Sequence, residues 1–401
     1  MREASSTTSG KSPNQNPFQH QELLTSIQQI HPSPDQRLLV VSDVHGHLHW
    51  LKELLKKVAY GGNDILVIVG DLVDKGPESL GTVRYVMELC RERPVYVTMG
   101  NVDLARMEFL VDDAADGDEK FAGFLRWCQD FWKDGILLEM LSELGMSAES
   151  VTAENAGDCR RRMRERFQEE IAFLLSRPTI LTAGNYLFVH GGVSTDCLEE
   201  LAGTPAKPWL KNDAFWKQGF SFQRYTVVTG HWPVCLYRDV EDFSPLFDRE
   251  RRIICMDGGC GVKRAGQLNG LILPESEAAM EEIAWMSYDD FPIVTAGEAR
   301  QGKAAGFHVN YFDNAVELLA ECGDVGEFRH LSTGIVFRAP LRWSWKDKDR
   351  LTFNDYCDRR LSVEEGERLS LLFDIGSERY VKNGRGQAGL YDGPVVGTGT
   401  S

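Results

Sequence analysis

The chain has 401 residues, of which 42% are hydrophobic and 26% are charged, and its formal net charge is −16. This length predicts one large catalytic domain with an appendage. The acidic balance argues against a protein that binds duplex nucleic acid, because such a protein needs a basic surface. It leaves a phosphorylated substrate open, since metal ions can supply positive charge locally.

The N-terminal segment is rich in Ser, Thr, Asn, Gln and Pro and has no apolar signal region, so we predict a disordered tail over residues 1–35. No apolar run approaches the roughly 20 residues that cross a bilayer, and we expect no membrane partner. Nine scattered cysteines without a Cys-X-X-Cys pair argue against a disulfide scaffold or a cysteine zinc finger. Together these features predict a cytoplasmic protein with free thiols.

Short apolar runs alternate with helical patterns from residue 37 onward. Predicted strands lie at 37–42, 65–69 and 95–99, and each is followed by a helix, at 47–58, at 78–92 and from residue 103. This alternation predicts a mostly parallel sheet with helices on both faces.

A charged helical stretch interrupts the alternation at 112–177, and we predict that it forms a helical insertion or cap. Strand patterns return in the stretches 186–189, 225–229, 252–256 and 269–273. Their return favours a second sheet, and therefore an α/β sandwich.

The region after residue 280 carries fewer motifs. Residues 331–338 and 368–373 predict a small β-rich region, and the glycine-rich end from residue 383 is expected to be frayed. The predicted organisation is a tail (1–35), a catalytic domain (36–280) that includes the insertion, and a C-terminal β-rich region (281–401).

Polar residues beside glycines follow five of the apolar runs: Asp43 and His45, Asp71, Asn101, His190, and His231. Ligands bind at the carboxyl ends of strands in open α/β sheets. An Asp after a strand is more often a helix N-cap, and a single residue of this kind is weak evidence. Five such strand ends in one chain predict a site for two divalent ions such as Mn, Fe, Zn or Co, bridged by one carboxylate.

The motifs SDVHG, GDLVDKG, GNVD, HGG and GHWPV resemble the signature of the calcineurin-like metallophosphoesterases. The resemblance is closest to the branch of the serine/threonine phosphoprotein phosphatases and the diadenosine-tetraphosphatase-like enzymes. It extends over about 38–275 and includes MDGGCGVKRAGQLNGLIL at 256–273. It implies a four-layer α/β/β/α sandwich.

The resemblance also implies roles for the motif residues. Asp43 and His45 would hold one metal ion, Asp71 would bridge both ions, and the second ion would be completed by Asn101, His190 and His231. A hydroxide activated by the two ions would attack phosphorus in line, without a covalent phosphoenzyme. Manganese is the ion we expect to support activity in vitro.

The chain departs from the family at the general acid. Val102 occupies the position of a histidine that protonates the leaving group, while Asp74, the usual partner of that histidine, is retained. Losing a general acid costs about 10²–10⁴-fold when the leaving group needs a proton. Asp103 is a candidate replacement donor.

A second departure concerns phosphate binding. Lys75 stands where the family usually has Arg, and it offers a point charge in place of a bidentate grip. Met99 replaces the arginine of the phosphoprotein phosphatases. Arg224 and Arg264 are candidate substitutes, although a solvated surface charge is the simpler interpretation of both.

These observations predict metal-dependent hydrolysis of phosphate esters or anhydrides, with a phosphodiester or nucleotide-type small molecule as substrate. A serine/threonine phosphoprotein phosphatase is one alternative. A catalytically weak pseudoenzyme is another, favoured a little by Val102 and Lys75 but opposed by the full ligand set.

Overall fold

The computed structural model describes residues 22–111, 116–376 and 378–399. Eleven strands form the two main sheets: β1 (Ile27–Ile30), β2 (Leu38–Ser42), β3 (Ile65–Val69), β4 (Val95–Thr98), β5 (Ile180–Ala183), β6 (Tyr186–Val189), β7 (Thr226–Thr229), β8 (Leu246–Asp248), β9 (Ile253–Cys255), β10 (Leu268–Leu273) and β11 (Ala284–Tyr288).

The α-helices lie between these strands: α1 (Leu48–Lys57), α2 (Ser79–Glu92), α3 (Asn101–Val111), α4 (Gly117–Phe131), α5 (Ile136–Glu143), α6 (Ala156–Arg166), α7 (Gln168–Leu175), α8 (Leu198–Leu201) and α9 (Lys207–Leu210). Among the described residues, none of the helices is both long enough and apolar enough to cross a membrane. All nine cysteines lie within the described ranges, and all are free thiols.

The first sheet has the strand order β11-β10-β2-β3-β4, with β2, β3 and β4 parallel. The second has the order β1-β5-β6-β7-β9-β8, with β6, β7 and β9 parallel. Every residue of β2 and β3 is buried, as expected for parallel strands covered on both faces.

Packing on the two faces of each sheet produces four layers. Val40 and Val67 of the first sheet pack against Phe188 of the second, in the core between the sheets. On the opposite face of the first sheet, Val41 lies in the core formed with the helices. The outer face of the second sheet contributes Val227 to a core with the α8 region. The predicted α/β/β/α sandwich is confirmed.

The helical insertion consists of α4, α5, α6 and α7, which span residues 117–175. It packs on α2 and α3 through buried rings such as Phe121 and Phe167. Residues 112–115 of the predicted insertion lie outside the described residues.

The C-terminal region is built from twelve strands: β12 (Ile293–Ala296), β13 (His308–Val309), β14 (Val316–Cys322), β15 (Val325–His330), β16 (Val336–Pro340), β17 (Ser344–Asp347), β18 (Arg350–Phe353), β19 (Tyr356–Cys357), β20 (Arg368–Asp374), β21 (Arg379–Lys382), β22 (Ala388–Tyr391) and β23 (Val395–Gly399). They form a five-stranded sheet in the order β22-β21-β20-β12-β23, a three-stranded sheet β14-β15-β16, and two strand pairs.

An aromatic cluster fills the C-terminal region, and it includes Phe328 and Phe353 together with Phe243 of the sandwich. A buried ion pair between Lys263 Nζ and Asp355 Oδ1, 2.9 Å apart, also joins the two parts. The C-terminal region is therefore packed against the loops that follow β7 and β9.

Several predicted boundaries differ from the structure. Residues 27–30 of the predicted tail form β1, which pairs in parallel with β5, while residues 1–21 lie outside the described part. β11 pairs with β10, so the first sheet continues past residue 280. Part of the predicted frayed end forms β22 and β23. β1 and β11 are edge strands with mostly exposed or half-buried residues, and their sequences carry a weak hydrophobic pattern.

Candidate metal centre

The carboxyl ends of strands from both sheets meet at one rim. Ligand atoms of Asp43, Asp71 and His190 all lie within 4.8 Å of one another, and all three residues are buried. Asp43 and Asp71 follow β2 and β3 of the first sheet, whereas His190 follows β6 of the second. The sandwich thus brings together residues that are far apart in the chain.

Sharp turns after the strands aim these side chains. The φ angle is 53° at Asp43, 48° at Asp71 and 67° at His231. Such angles cost non-glycine residues of the order of 1–3 kcal/mol each and are concentrated at functional sites. Gly230 allows the closest approach, because a Cβ atom there would lie 2.1 Å from Asp43 Oδ2.

Two histidines are oriented by backbone carbonyls. Nδ1 of His45 lies 3.1 Å from the Val73 oxygen, and Nδ1 of His190 lies 3.0 Å from the Val69 oxygen. With the proton on Nδ1, the Nε2 lone pair of each ring points away from the carbonyl and is the atom that could bind a metal ion. The two Nε2 atoms lie 3.7 and 3.3 Å from Asp71 Oδ2, respectively. Both rings therefore face the carboxylate predicted to bridge two ions.

His231 is the remaining predicted ligand, and it faces the cluster with Nδ1, whereas His45 and His190 face it with Nε2. Its Nε2 lies 2.8 Å from Asp213 Oδ1, and its Nδ1 lies 2.9 Å from Asn101 Oδ1. The same amide oxygen is 3.0 Å from His190 Nε2. Asp213 accepts a hydrogen bond from the Nε2–H group. The Nδ1 atom, beside Asn101 and His190, then has the lone pair that could bind a metal ion.

The electrostatics of the cluster suit a bound cation. Burial and the neighbouring Asp257 raise the pKa of Asp43 well above its usual value. Burial disfavours the charged form of His190, but Asp71 and Asp43 outweigh it and raise its pKa to about 10. Buried carboxylates crowded together need positive charge, and a carboxylate, imidazole and amide donor set suits intermediate divalent metals. The residues present fit such ions.

Asp257 was not predicted from the strand ends, and its charge acts on Asp43 of the cluster. It follows β9, and its Oδ1 accepts a 2.7 Å hydrogen bond from the Gly259 N–H. Burial raises its pKa to about 6. The signal was available, because Asp257 precedes two glycines after an apolar run, like the predicted ligands.

Asp74 does not turn toward the cluster. Its Oδ1 accepts a 2.9 Å hydrogen bond from the Ile136 N–H of the insertion, and its Oδ2 forms an ion pair with Arg106 Nε. The guanidinium of Arg106 is 4.4 Å from the Phe124 ring centroid and 5.5 Å from that of Trp132. The structure therefore gives Asp74 a positioning contact with the insertion, and its catalytic role stays a prediction.

Val102 retains a backbone role at the position of the missing histidine. Its N–H donates a 2.9 Å hydrogen bond to Asp71 Oδ1, an interaction that needs no particular side chain. Arg106 lies four residues further along α3, on the same face as Val102. A fixed cation thus pairs with Asp74 one helical turn from Val102.

Lys75 and Asp103, the other predicted catalytic residues, have different positions. Lys75 Nζ lies 3.1 Å from His45 Nε2, at the cluster itself. Burial and that ammonium lower the pKa of His45 to about 3. Asp103 Oδ1 instead accepts the N–H groups of Leu72 and Val73, at 2.9 and 3.2 Å, and so braces the loop after β3.

The two arginines predicted to bind substrate lie at different places: Arg224 lies away from the strand end that carries the cluster, and the role of Arg264 stays a prediction. Arg224 precedes β7, at the opposite end of the strand from His231, and it is exposed. Arg264 is exposed in the loop between β9 and β10, where its N–H donates to Asp355 Oδ2 at 3.0 Å. Arg224 is close to His231 in the sequence, but β7 lies between the two residues and separates them in space.

The comparison with protein families decides the assignment. Residues 36–252, more than half of the chain, match the family described as calcineurin-like phosphoesterase. The chain belongs to this family. The assignment from the motifs is confirmed.

Curated relatives share parts of the sequence. The chain is 31% identical over 189 residues to the symmetrical bis(5'-nucleosyl)-tetraphosphatase of Dechloromonas aromatica, covering 47% of this chain and 53% of that protein. It is 37% identical over 71 residues to an asymmetrical bis(5'-nucleosyl)-tetraphosphatase of Oceanobacillus iheyensis, covering 16% and 28% of the two chains. The chain thus spans about half or less of these relatives' lengths.

Among solved structures, the chain is similar to a protein serine/threonine phosphatase from Saccharomyces cerevisiae. The sequence identity is 13%, the TM-score is 0.40, and the match covers 66% of this chain and 84% of the other.

Proposed function

We propose that the chain is a two-metal phosphohydrolase that cleaves phosphate esters or anhydrides, with a phosphodiester or nucleotide-type molecule as substrate. The observation that carries the proposal is the buried cluster of Asp43, Asp71 and His190, whose ligand atoms lie within 4.8 Å of one another. Family membership and the names of the curated relatives support the same chemistry.

The proposed ligand set divides into two groups that share one carboxylate. One ion is assigned to Asp43, His45 and Asp71, and the other to Asp71, Asn101, His190 and His231. Divalent ions in such a set supply Lewis-acid catalysis, activating water and neutralising phosphoryl charge. Manganese is the ion proposed for assays in vitro, and cytoplasmic thiol conditions suit the nine free cysteines.

The residues around the ligands contribute orientation and charge. The carbonyls of Val69 and Val73 fix the tautomers of two histidines, and the Val102 N–H holds the Asp71 carboxylate. The Lys75 ammonium, which lies beside His45, would attract phosphate oxygens.

The environment of Asp74 favours particular leaving groups. Val102 cannot donate a proton, and Asp74 is already paired with Arg106. The absence of the acid matters least when the leaving group is itself acidic, as a phosphate or nucleotide is. This supports anhydrides and activated diesters over the alkyl monoesters of phosphoserine.

The test is hydrolysis, with added manganese, of nitrophenyl phosphate, bis(nitrophenyl) phosphate and diadenosine tetraphosphate. The wild type should turn over the diester or the dinucleotide faster than the monoester, and Asp71→Asn should lose this activity by at least about 10²-fold. Asp158→Asn, on the exposed face of α6, is the matched control and should behave as the wild type.

Two results would contradict the proposal. Preference for the monoester would favour a phosphoprotein phosphatase with another proton donor. Bound metal without turnover of any of the three compounds would favour the pseudoenzyme.

A further inference from the structure

Aromatic rings lead from the metal centre into the C-terminal region. The His231 and Trp232 ring centroids are 6.3 Å apart, those of Trp232 and Phe312 are 6.3 Å apart, and those of Phe312 and Tyr311 are 5.5 Å apart. Tyr311 and Phe312 lie outside the family match at 36–252. The appended region therefore extends the surroundings of a predicted metal ligand.

Tyr311 and Phe312 occupy the two central positions of a tight turn. The N–H groups of Asn310 and Asp313 each donate to the other residue's carbonyl at 3.2 Å, and Asn310 Oδ1 accepts the Phe312 N–H at 2.9 Å. Small or polar residues usually occupy such positions. Here two large rings are 59% and 64% exposed.

Contacts of the neighbouring residues Val309 and Asp313 fix the position of the turn. Val309, just before it, is fully buried in the C-terminal aromatic cluster. His330 Nε2 lies 3.2 Å from the Asp313 carbonyl oxygen, and the Ser332 hydroxyl donates to Asp313 Oδ2 at 2.5 Å. Rings presented on a fixed turn lose little conformational freedom on binding, so they are organised for a ligand.

The area of the two rings favours a small planar ligand over a protein. Aromatic side chains bury about 150–250 Å² each, whereas a specific protein partner covers about 800 Å² on one side. A nucleobase offers such exposed rings a planar stacking face of matching size.

We propose that Trp232, Phe312 and Tyr311 form a stacking subsite for a nucleobase of the substrate, next to the metal centre. The subsite would hold the base while the attached phosphate lies at the ligand cluster. This inference rests on the proposed function, since it names the group that the phosphate carries. It also assigns a role to the C-terminal region.

Binding of two matched ligands tests the subsite without turnover. Adenosine 5'-methylenediphosphate carries a base, methylenediphosphonate does not, and both resist hydrolysis of the P–C–P link. In calorimetric titrations of the manganese-loaded full chain, Tyr311→Ala/Phe312→Ala should weaken the nucleoside ligand by about 10- to 100-fold. Binding of methylenediphosphonate should stay unchanged.

Two further variants separate stacking from general damage. Phe312→Trp keeps a ring and should retain most of the affinity. Phe131→Ala removes a ring that is 69% exposed on the insertion and should change nothing. Equal losses for both ligands, or no loss for the nucleoside ligand, would overturn the proposal.

Hydrolysis distinguishes failure of the subsite from failure of the proposed function. The double variant should raise the KM for diadenosine tetraphosphate by about 10- to 100-fold at nearly constant kcat, and leave inorganic tripolyphosphate hydrolysis unchanged. If the wild type hydrolyses diadenosine tetraphosphate and the double variant has the same KM, the subsite alone is contradicted. If binding depends on the base but no compound is hydrolysed, the proposed function alone is contradicted. A raised KM for a phosphopeptide only would identify a protein-docking surface and also overturn the subsite.

Discussion

The metal-centre loops and the C-terminal aromatic cluster are built on opposite principles. Of the twelve non-glycine residues with positive φ in the described chain, half lie in the metal-centre loops: Asp43, His45, Asp71, Asp74, Lys75 and His231. The C-terminal cluster instead packs apolar rings, such as Phe328 and Phe353 with centroids 5.1 Å apart. Strain and buried charge are accepted where a ligand is to bind, while ring packing stabilises the region beside it.

The largest expected effect comes from a substitution in the C-terminal aromatic cluster. Phe328→Ala removes a fully buried ring and should lower the free energy of unfolding by about 3–5 kcal/mol. Below the unfolding transition, hydrolysis of inorganic tripolyphosphate should persist, because the metal cluster is untouched. Thermal melts and assays at low temperature check both statements. Loss of this activity in a folded variant would show that the cluster depends on the C-terminal core.

A second variant tests the buried ion pair beside the metal centre. Arg106→Met would leave the Asp74 carboxylate, 1% exposed, without its cation, and should cost about 3 kcal/mol of stability. Adding Asp74→Asn should recover most of that loss, since a neutral amide can still accept the Ile136 N–H. Denaturant melts of the single and double variants measure the coupling. Additive losses would contradict the pairing.

A third variant tests the close approach of the Gly230 backbone to Asp43 in the metal-centre loops. Gly230→Ala places a methyl group against Asp43 and should reduce metal-dependent turnover by about 10²-fold, because small displacements of reacting groups are costly. Gly123→Ala is the matched control, since a methyl group there meets nothing within 4 Å inside α4. The control should be active and slightly more stable. Normal turnover in Gly230→Ala would remove Asp43 from the site.

The smallest expected effect concerns the acceptor behind His231. Asp213→Ala should weaken metal binding by about 10-fold, because the imidazole loses the partner that fixes its tautomer. Asp213→Asn keeps an acceptor oxygen and should restore part of the affinity. Manganese titrations of the two variants measure the difference. Equal affinities for Asp213→Ala and the wild type would assign His231 a different orientation.

The sequence predicted the parts of the site that directly follow buried strands. Asp43, Asp71 and His190 each come after an apolar run, so strand order alone brought them to one rim. Asp213 was missed because it lies in a loop without that pattern. The pairing of Arg106 with Asp74 depends on the register of α3 against the insertion, which a single sequence does not encode locally.

The strands of the fold differ in the same way in how clearly the sequence predicts them. The central strands β2 and β3 are buried throughout and read as continuous apolar runs. β1 (IQQI) has exposed glutamines and sits at a sheet edge, so its pattern resembled a polar tail. The role of Tyr311 and Phe312 depends on contact between distant segments, and their sequence alone predicted no site.

We expect Asp71 to bridge two divalent ions, and anomalous scattering from crystals grown with manganese tests this most directly. Two anomalous peaks about 3.5–4 Å apart, one beside His45 Nε2 and one beside Asn101 Oδ1, are the predicted result. Both peaks should weaken in Asp71→Asn crystals. A single peak, or none in this cluster while activity persists, would contradict the two-metal account.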